Sequence, residues 1–174
     1  MADVLVELIG TEFSSALNGL QGDSQDIEDI DDQQEEAIRG RTDIGDTTKK
    51  QLVKSRRGQG IFKANVRLNE KRCRVTGVTD LKHLRASHIK PWKDSTDEEK
   101  LNGCNGLLLA PHIDHLFDRG LISFSDDGNL LISPKLDRAI LAKWGVSETV
   151  NVGSFDAKQS VFLEYHRHSV FKKS

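Results

Sequence analysis

The sequence predicts an α+β protein, and three observations lead there. Between residues 3 and 20, Val4, Leu5, Leu8, Ile9, Phe13, Leu17 and Leu20 fall on one face of a helix. Further along, short apolar and β-branched runs at 73–80, 81–89 and 105–109 are bounded by Gly, Pro and Asn, which is how strands and their turns read. Finally, LISF and NLLIS flank Ser125-Asp126-Asp127-Gly128, and two apolar runs around Asp-Gly make a hairpin. Small hairpins set among helices, behind a helical N-terminal extension, satisfy all three.

The elements follow in order. Residues 22–36 are acidic and carry only Ile27 and Ile30, so they form either a weak second helix or a connector, ending near Gly40. Thr47 and Thr48 can cap a helix over 49–57 that Gly58 and Gly60 stop. A further helix over 61–70 turns Phe62, Val66 and either Leu68 or Asn69 to the core, and Lys63, Arg67 and Lys71 outward. CRVTGVTD (73–80) reads as a strand breaking at Gly77, and 81–89 as the first strand of a second hairpin. Within that hairpin's loop, STDEEK carries a capped helical turn, and Asn102-Gly103 turns the chain into the strand 105–109. Pro111 suits the first position of a helix over 111–119, which Gly120 ends. A short helix over 138–144 and a closing helix over 162–171 complete the chain.

Charge divides the sequence. The formal net charge is only −2, yet residues 1–48 hold 13 acidic residues against two arginines, and residues 49–93 hold 14 Lys and Arg against Glu70 and Asp80. An acidic arm thus precedes a surface suited to phosphate, and the domains read as 1–48, a helical extension and dimerisation element, and 49–174. Two cysteines, Cys73 and Cys104, form no C-x-x-C pair and no disulfide framework, so reduced thiols in a cytoplasmic protein are expected. No basic n-region precedes an apolar core, and no apolar run approaches membrane-spanning length, so no membrane partner is expected.

The chemistry concentrates in LRASHIKPW (84–92) and NGLLLAPHIDHLFD (105–118). Hydrolysis of a phosphodiester needs an activated water, charge relief on the phosphate and help for the leaving oxygen. A neutral imidazole can supply the first, and a divalent cation the others. His88 is the candidate base. Asp114 and Asp118 share a helical face one turn apart, and His112 with His115 forms a second pair. Carboxylates favour Mg²⁺ or Mn²⁺, while added imidazole would admit Zn²⁺, Ni²⁺ or Co²⁺. Phosphate contacts fall to Arg56, Arg57, Lys63, Arg67, Arg74, Arg85, Lys90 and Lys93, although an ideal strand puts Arg85 and His88 on opposite faces. Trp92 reads more readily as packing than as a base-stacking surface. His83, His166 and His168 have no ligand spacing.

With RRGQ, C-x-V-T-G and LFD-x-G around them, these motifs resemble the HNH nucleases. The resemblance covers about residues 56–133, with a fainter echo at 164–171. It implies a ββα-metal core, His88 as general base, and Asn105 as the middle Asn. In the family that Asn holds the base histidine across the loop or, in some branches, ligates the metal. Asp114, then His112, then Asp118 are the implied metal ligands, with His115 last. Two positions depart from the pattern: Ser87 stands where Asp or His commonly precedes the base, and Asp114 where His is usual. The implied function is metal-dependent cleavage of DNA, double-stranded, in restriction or phage defence, and the apolar face of residues 3–20, which must pack on this unit or pair with another copy, makes a homodimer the expected form. The alternatives are a DNA-binding module that has lost catalysis and a toxin or effector nuclease controlled by a regulatory protein partner.

Overall fold

The computed structural model describes residues 40, 42, 43 and 45–174. The amphipathic stretch 3–20, the acidic stretch 22–36 and the dimerisation role expected of them lie outside the described residues. A compact unit runs from Gly58 to Ser174. In chain order the elements are α1 (Asp46–Asn69), β1 (Arg85–His88), α2 (Asp97–Leu101), β2 (Gly106–Leu109), α3 (Pro111–Asp118), β3 (Ile122–Phe124), β4 (Leu130–Ile132), α4 (Arg138–Lys143) and α5 (Ala157–Tyr165), the last continuing into a π-helical turn, His166–Val170. Helices around two small antiparallel sheets make an α+β fold, as the sequence predicts. No described helix is long and apolar enough to cross a membrane.

β1 pairs with β2 so that Arg85 faces Leu109, Ser87 faces Leu107 and His88 faces Gly106. All four residues of β2 are buried, because the strand is covered on both faces. That is why NGLLL reads as an unbroken apolar run rather than an alternation. Each of its three leucines contributes about 1.5–3 kcal/mol by leaving water. Phe62 and Val66 lie where a side chain on Gly106 would have to go. Replacing Gly106 by Ala should therefore cost about 1–3 kcal/mol by overpacking, read as a lower urea midpoint with an unchanged slope.

Several local expectations need correction. α1 is one helix running through Gly58 and Gly60 rather than two, and it begins at Asp46, so Thr47 and Thr48 lie inside it. Neither glycine takes a positive φ. Each costs about 1 kcal/mol against alanine, which the burial of Phe62 and Val66 on the same helix outweighs. Leu68 and Asn69 are exposed, not core-facing. Residues 73–80 form no strand: Cys73 N–H donates to the Val78 carbonyl at 2.9 Å and Gly77 N–H to the Cys73 carbonyl at 2.8 Å, closing a tight turn. The strand expected over 81–89 is shortened to β1, because Asp80 caps a 3₁₀ turn at Leu81–His83. Other expectations hold. Thr96 and Glu99 form a reciprocal capping box on α2, and Pro111 opens α3. The closing helix begins earlier than expected, at Ala157, and widens at His166.

The C-terminal turn closes over the end of α3. Gly120 has φ 66°, and a Cβ there would collide with the Val170 carbonyl, while Lys172 N–H donates to the Gly120 carbonyl at 2.9 Å. His166, 1% exposed, stacks on Phe117 at 3.9 Å. Its Nε2 lies 3.1 Å from the Phe117 carbonyl and its Nδ1 3.0 Å from Ser123 Oγ. A carbonyl accepts only, so Nε2 carries the proton and Nδ1 accepts from the serine hydroxyl. Burial pulls the imidazole pKa down to about 4, against the raising effect of the Phe117 carbonyl. The unfolded chain takes up this proton near pH 6.5, earlier than the folded one. The stabilisation is therefore complete above pH 6.5 and lost as pH falls toward 4, on the order of 3 kcal/mol. Urea titrations from pH 7 to 4 should show this loss in the wild type and a shallower fall in His166→Gln.

Candidate active site

His88 ends β1 at the mouth of the loop between the hairpin strands. Opposite it stands Gly106, and the ring of Phe62 occupies the space that the missing side chain leaves. The imidazole stacks on Phe62 at 3.5 Å and 8° and meets the Trp92 ring edge-on at 5.5 Å. Its Nε2 lies 3.1 Å from the Lys100 carbonyl. Since that oxygen can only accept, Nε2 holds the proton and Nδ1 keeps a lone pair. This tautomer is assigned from the hydrogen-bond network. Burial lowers the pKa below 6.5, with the Lys100 carbonyl and the negative charge of Asp118 acting the other way. A base that is neutral at neutral pH results.

The loop that carries the Lys100 carbonyl is organised around Asn105, which is fully buried. Its Oδ1 accepts from Lys90 N–H at 2.8 Å, and its Nδ2 faces the Glu99 carbonyl at 3.1 Å, Ser95 Oγ at 3.3 Å and the Lys90 carbonyl at 3.4 Å. Ile89 N–H donates to the Asn105 carbonyl at 3.0 Å. The amide thus ties both ends of the loop together, and its polar atoms are committed there. Lys90, expected on phosphate, turns onto Glu99 at 2.7 Å with only 17% of its side chain exposed. Arg74 is likewise committed, to buried Glu70 at 2.7 Å.

α3 sets its acidic face toward β1. Asp114, 17% exposed at the side chain, lies 3.4 Å from Arg85 Nη1. Asp118, one turn on, is exposed, and its charge reaches His88. Arg85 and His88 both feel the acidic face of this helix, Arg85 through the pair with Asp114 and His88 through the charge of Asp118, despite their opposite parity in an ideal strand. His112 projects elsewhere, edge-on to Trp144 at 5.5 Å, and His115 is exposed. Ser87 is buried. Among the described residues no three His, Cys, Asp or Glu side chains converge as a metal cluster, so Asp114, His112 and Asp118 are not brought together as a set of three.

A family model described as HNH endonuclease matches residues 73–125. This region is an HNH endonuclease domain. No curated protein matches the chain. The match takes in β1, the Asn105 loop, β2, α3 and β3, and a domain of this family implies nuclease action on nucleic acid. Arg85 and Lys93 are exposed, Lys63 and Arg67 are half-buried, and Arg57 is exposed on α1; the Arg56 side chain lies outside the described residues. His83 is exposed and pairs with Asp80 at 3.8 Å. Sequence reasoning missed the ring stack on His88, because Phe62 reads simply as a core residue. It also missed the Lys100 carbonyl, since a backbone acceptor leaves no trace in residue identity, and His166, which has partners rather than ligand spacing.

Proposed function

We propose that the HNH domain is a divalent-metal-dependent endonuclease acting on DNA. The observation that carries this reading is the His88 imidazole, neutral, with Nδ1 unengaged by any described residue, under the charge of the helix that carries Asp114 and Asp118. His88 accepts the proton of a water, and the Lys100 carbonyl holds the ring in the tautomer that can accept it. Asn105 keeps that carbonyl in place. Two carboxylates one turn apart suit Mg²⁺ or Mn²⁺, which retain waters and complete their shell with phosphate oxygens, and suit a closed four-ligand zinc site poorly. Asp114 and Asp118 would hold the ion, and His112, turned to Trp144, stands aside from them. Bound there, it would supply charge relief on the phosphate and the leaving oxygen. Arg85, Lys63, Arg67 and Lys93 are the phosphate contacts, with Arg56 and Arg57 assigned from sequence. Double-stranded DNA, a cytoplasmic setting, a homodimer and a role in restriction or phage defence complete the proposal.

Supercoiled plasmid incubated with purified protein and Mg²⁺, Mn²⁺, Ni²⁺, Zn²⁺ or EDTA tests it. Nicked or linear product that EDTA abolishes is expected. Buried Ser87 and ion-paired Asp114 favour one second reading, a module that grips DNA without cutting. DNA binding with no cleavage and no Mn²⁺ uptake by calorimetry would select that reading.

A further inference from the structure

The Asp118 carboxylate makes no hydrogen bond or ion pair with any described residue, so among these residues it is the backbone of the last turn of α3 that sets its aim. That turn is the end of a helix, and its final carbonyls find partners just beyond it: Leu121 N–H donates to the Leu116 carbonyl and Gly120 N–H to the Phe117 carbonyl, each at 2.9 Å. One of them, the Phe117 carbonyl, takes the His166 Nε2 proton at 3.1 Å, and the Phe117 ring lies flat against the imidazole at 2°. The other imidazole nitrogen is fixed by Ser123 at 3.0 Å, just beyond the turn. The widened π turn at His166–Val170 brings the Val170 carbonyl against Gly120 and lets Phe171 N–H return to the His166 carbonyl at 2.8 Å. Such turns often occur at functional sites. All of these holding groups lie outside the residues 73–125 that the family model matches, apart from Ser123 and Gly120.

We propose that His166 is a positioning residue of the nuclease site: it locks the last turn of α3 and thereby the direction of the Asp118 carboxylate. The assignment rests on the reading of Asp118 as a group that serves the metal and the base. A neutral imidazole suits the role, because both nitrogens keep their single directed bonds throughout the working pH range. Gln at this position can still donate to the Phe117 carbonyl, whereas Leu fills the space without donating.

The test compares His166→Leu, His166→Gln and Ser123→Ala in the full chain. His166→Leu should lower kcat by about 10²-fold, the scale of a misplaced group at a reacting centre, with KM changed less than about twofold. His166→Gln should recover most of that loss, and Ser123→Ala should fall between them. In an Asp118→Asn background, His166→Leu should change little further. Independently of cleavage, NMR titration of the His88 ring in EDTA reads the Asp118 charge. Asp118→Asn should lower the His88 pKa in the wild type, and that difference should shrink in His166→Leu. Should Leu prevent folding, Ser123→Ala and Gln carry the same comparisons. An unchanged kcat, or a loss equally large without the Asp118 charge, overturns the proposal. A wild type that cuts nothing with any metal overturns the nuclease reading instead, and the titration in EDTA then decides the role of His166.

Discussion

Replacing His88 by alanine is expected to slow plasmid cleavage by about 10²–10⁴-fold, the range contributed by a positioned general base. Binding of uncleaved DNA should change little, because the cations proposed to meet phosphate, Arg85, Lys93, Lys63 and Arg67, are other side chains. His88→Gln separates the chemistry from the packing. Its amide can donate to the Lys100 carbonyl as Nε2 does, but it offers no basic nitrogen, so folding should recover while the rate stays low. The pH profile gives an independent reading. Burial lowers the His88 pKa, and the base works when unprotonated. Activity should therefore rise with pH through a midpoint below 6.5 and be level above it. An acid limb of kcat/KM centred above 6.5, or a His88→Ala protein that still cuts at the wild-type rate, would remove His88 from the mechanism.

Asn105→Ala is expected to act twice. The substitution leaves Lys90 N–H without its acceptor, while the Glu99 carbonyl keeps Asn102 N–H at 3.3 Å, and the orphaned N–H costs about 1–3 kcal/mol where it stays buried. The larger effect should be kinetic. Once the loop is untied, the Lys100 carbonyl no longer fixes the His88 ring, and a reacting group displaced by an ångström loses about 10²-fold in rate. Asn105→Asp divides the amide into its halves. The carboxylate still accepts from Lys90 N–H but cannot donate to Glu99, so it should restore part of the stability and little of the rate. A kcat unaffected by Asn105→Ala would show that the loop holds its shape without the amide.

How much of this was readable beforehand follows the range of the interactions. Pro111 at the start of α3, the Thr96–Glu99 capping box and the Asp127-Gly128 turn are local, each fixed by residues within four positions, and each stands where the sequence predicts it. The break expected at Gly58 failed for the complementary reason. A glycine marks a helix end only if nothing rewards continuation, and here Phe62 and Val66 are buried beyond it. At the site, His88 and Asn105 stand out through the resemblance of the motifs around them, yet what orients them could not be read there. The Lys100 carbonyl belongs to the backbone, and Phe62 reaches the imidazole across 26 residues of sequence. Lys90 looked like a phosphate contact because charge is visible in sequence while its partner Glu99, nine residues away, is chosen by the fold of the loop.

The empty Cβ position at Gly106 has a consequence for sequences beyond this one. Phe62 and Val66 fill the space that Gly106 vacates, and the Phe62 ring is also the floor on which His88 rests. Volume is therefore shared among three positions from two distant parts of the chain. In related chains, a larger residue at the Gly106 position should arrive together with a smaller one at the Val66 position. The Phe62 position should resist such exchange, because shrinking it would unseat the base. Evolutionary drift in this corner is thus expected as paired changes between positions 66 and 106, with position 62 as the fixed point.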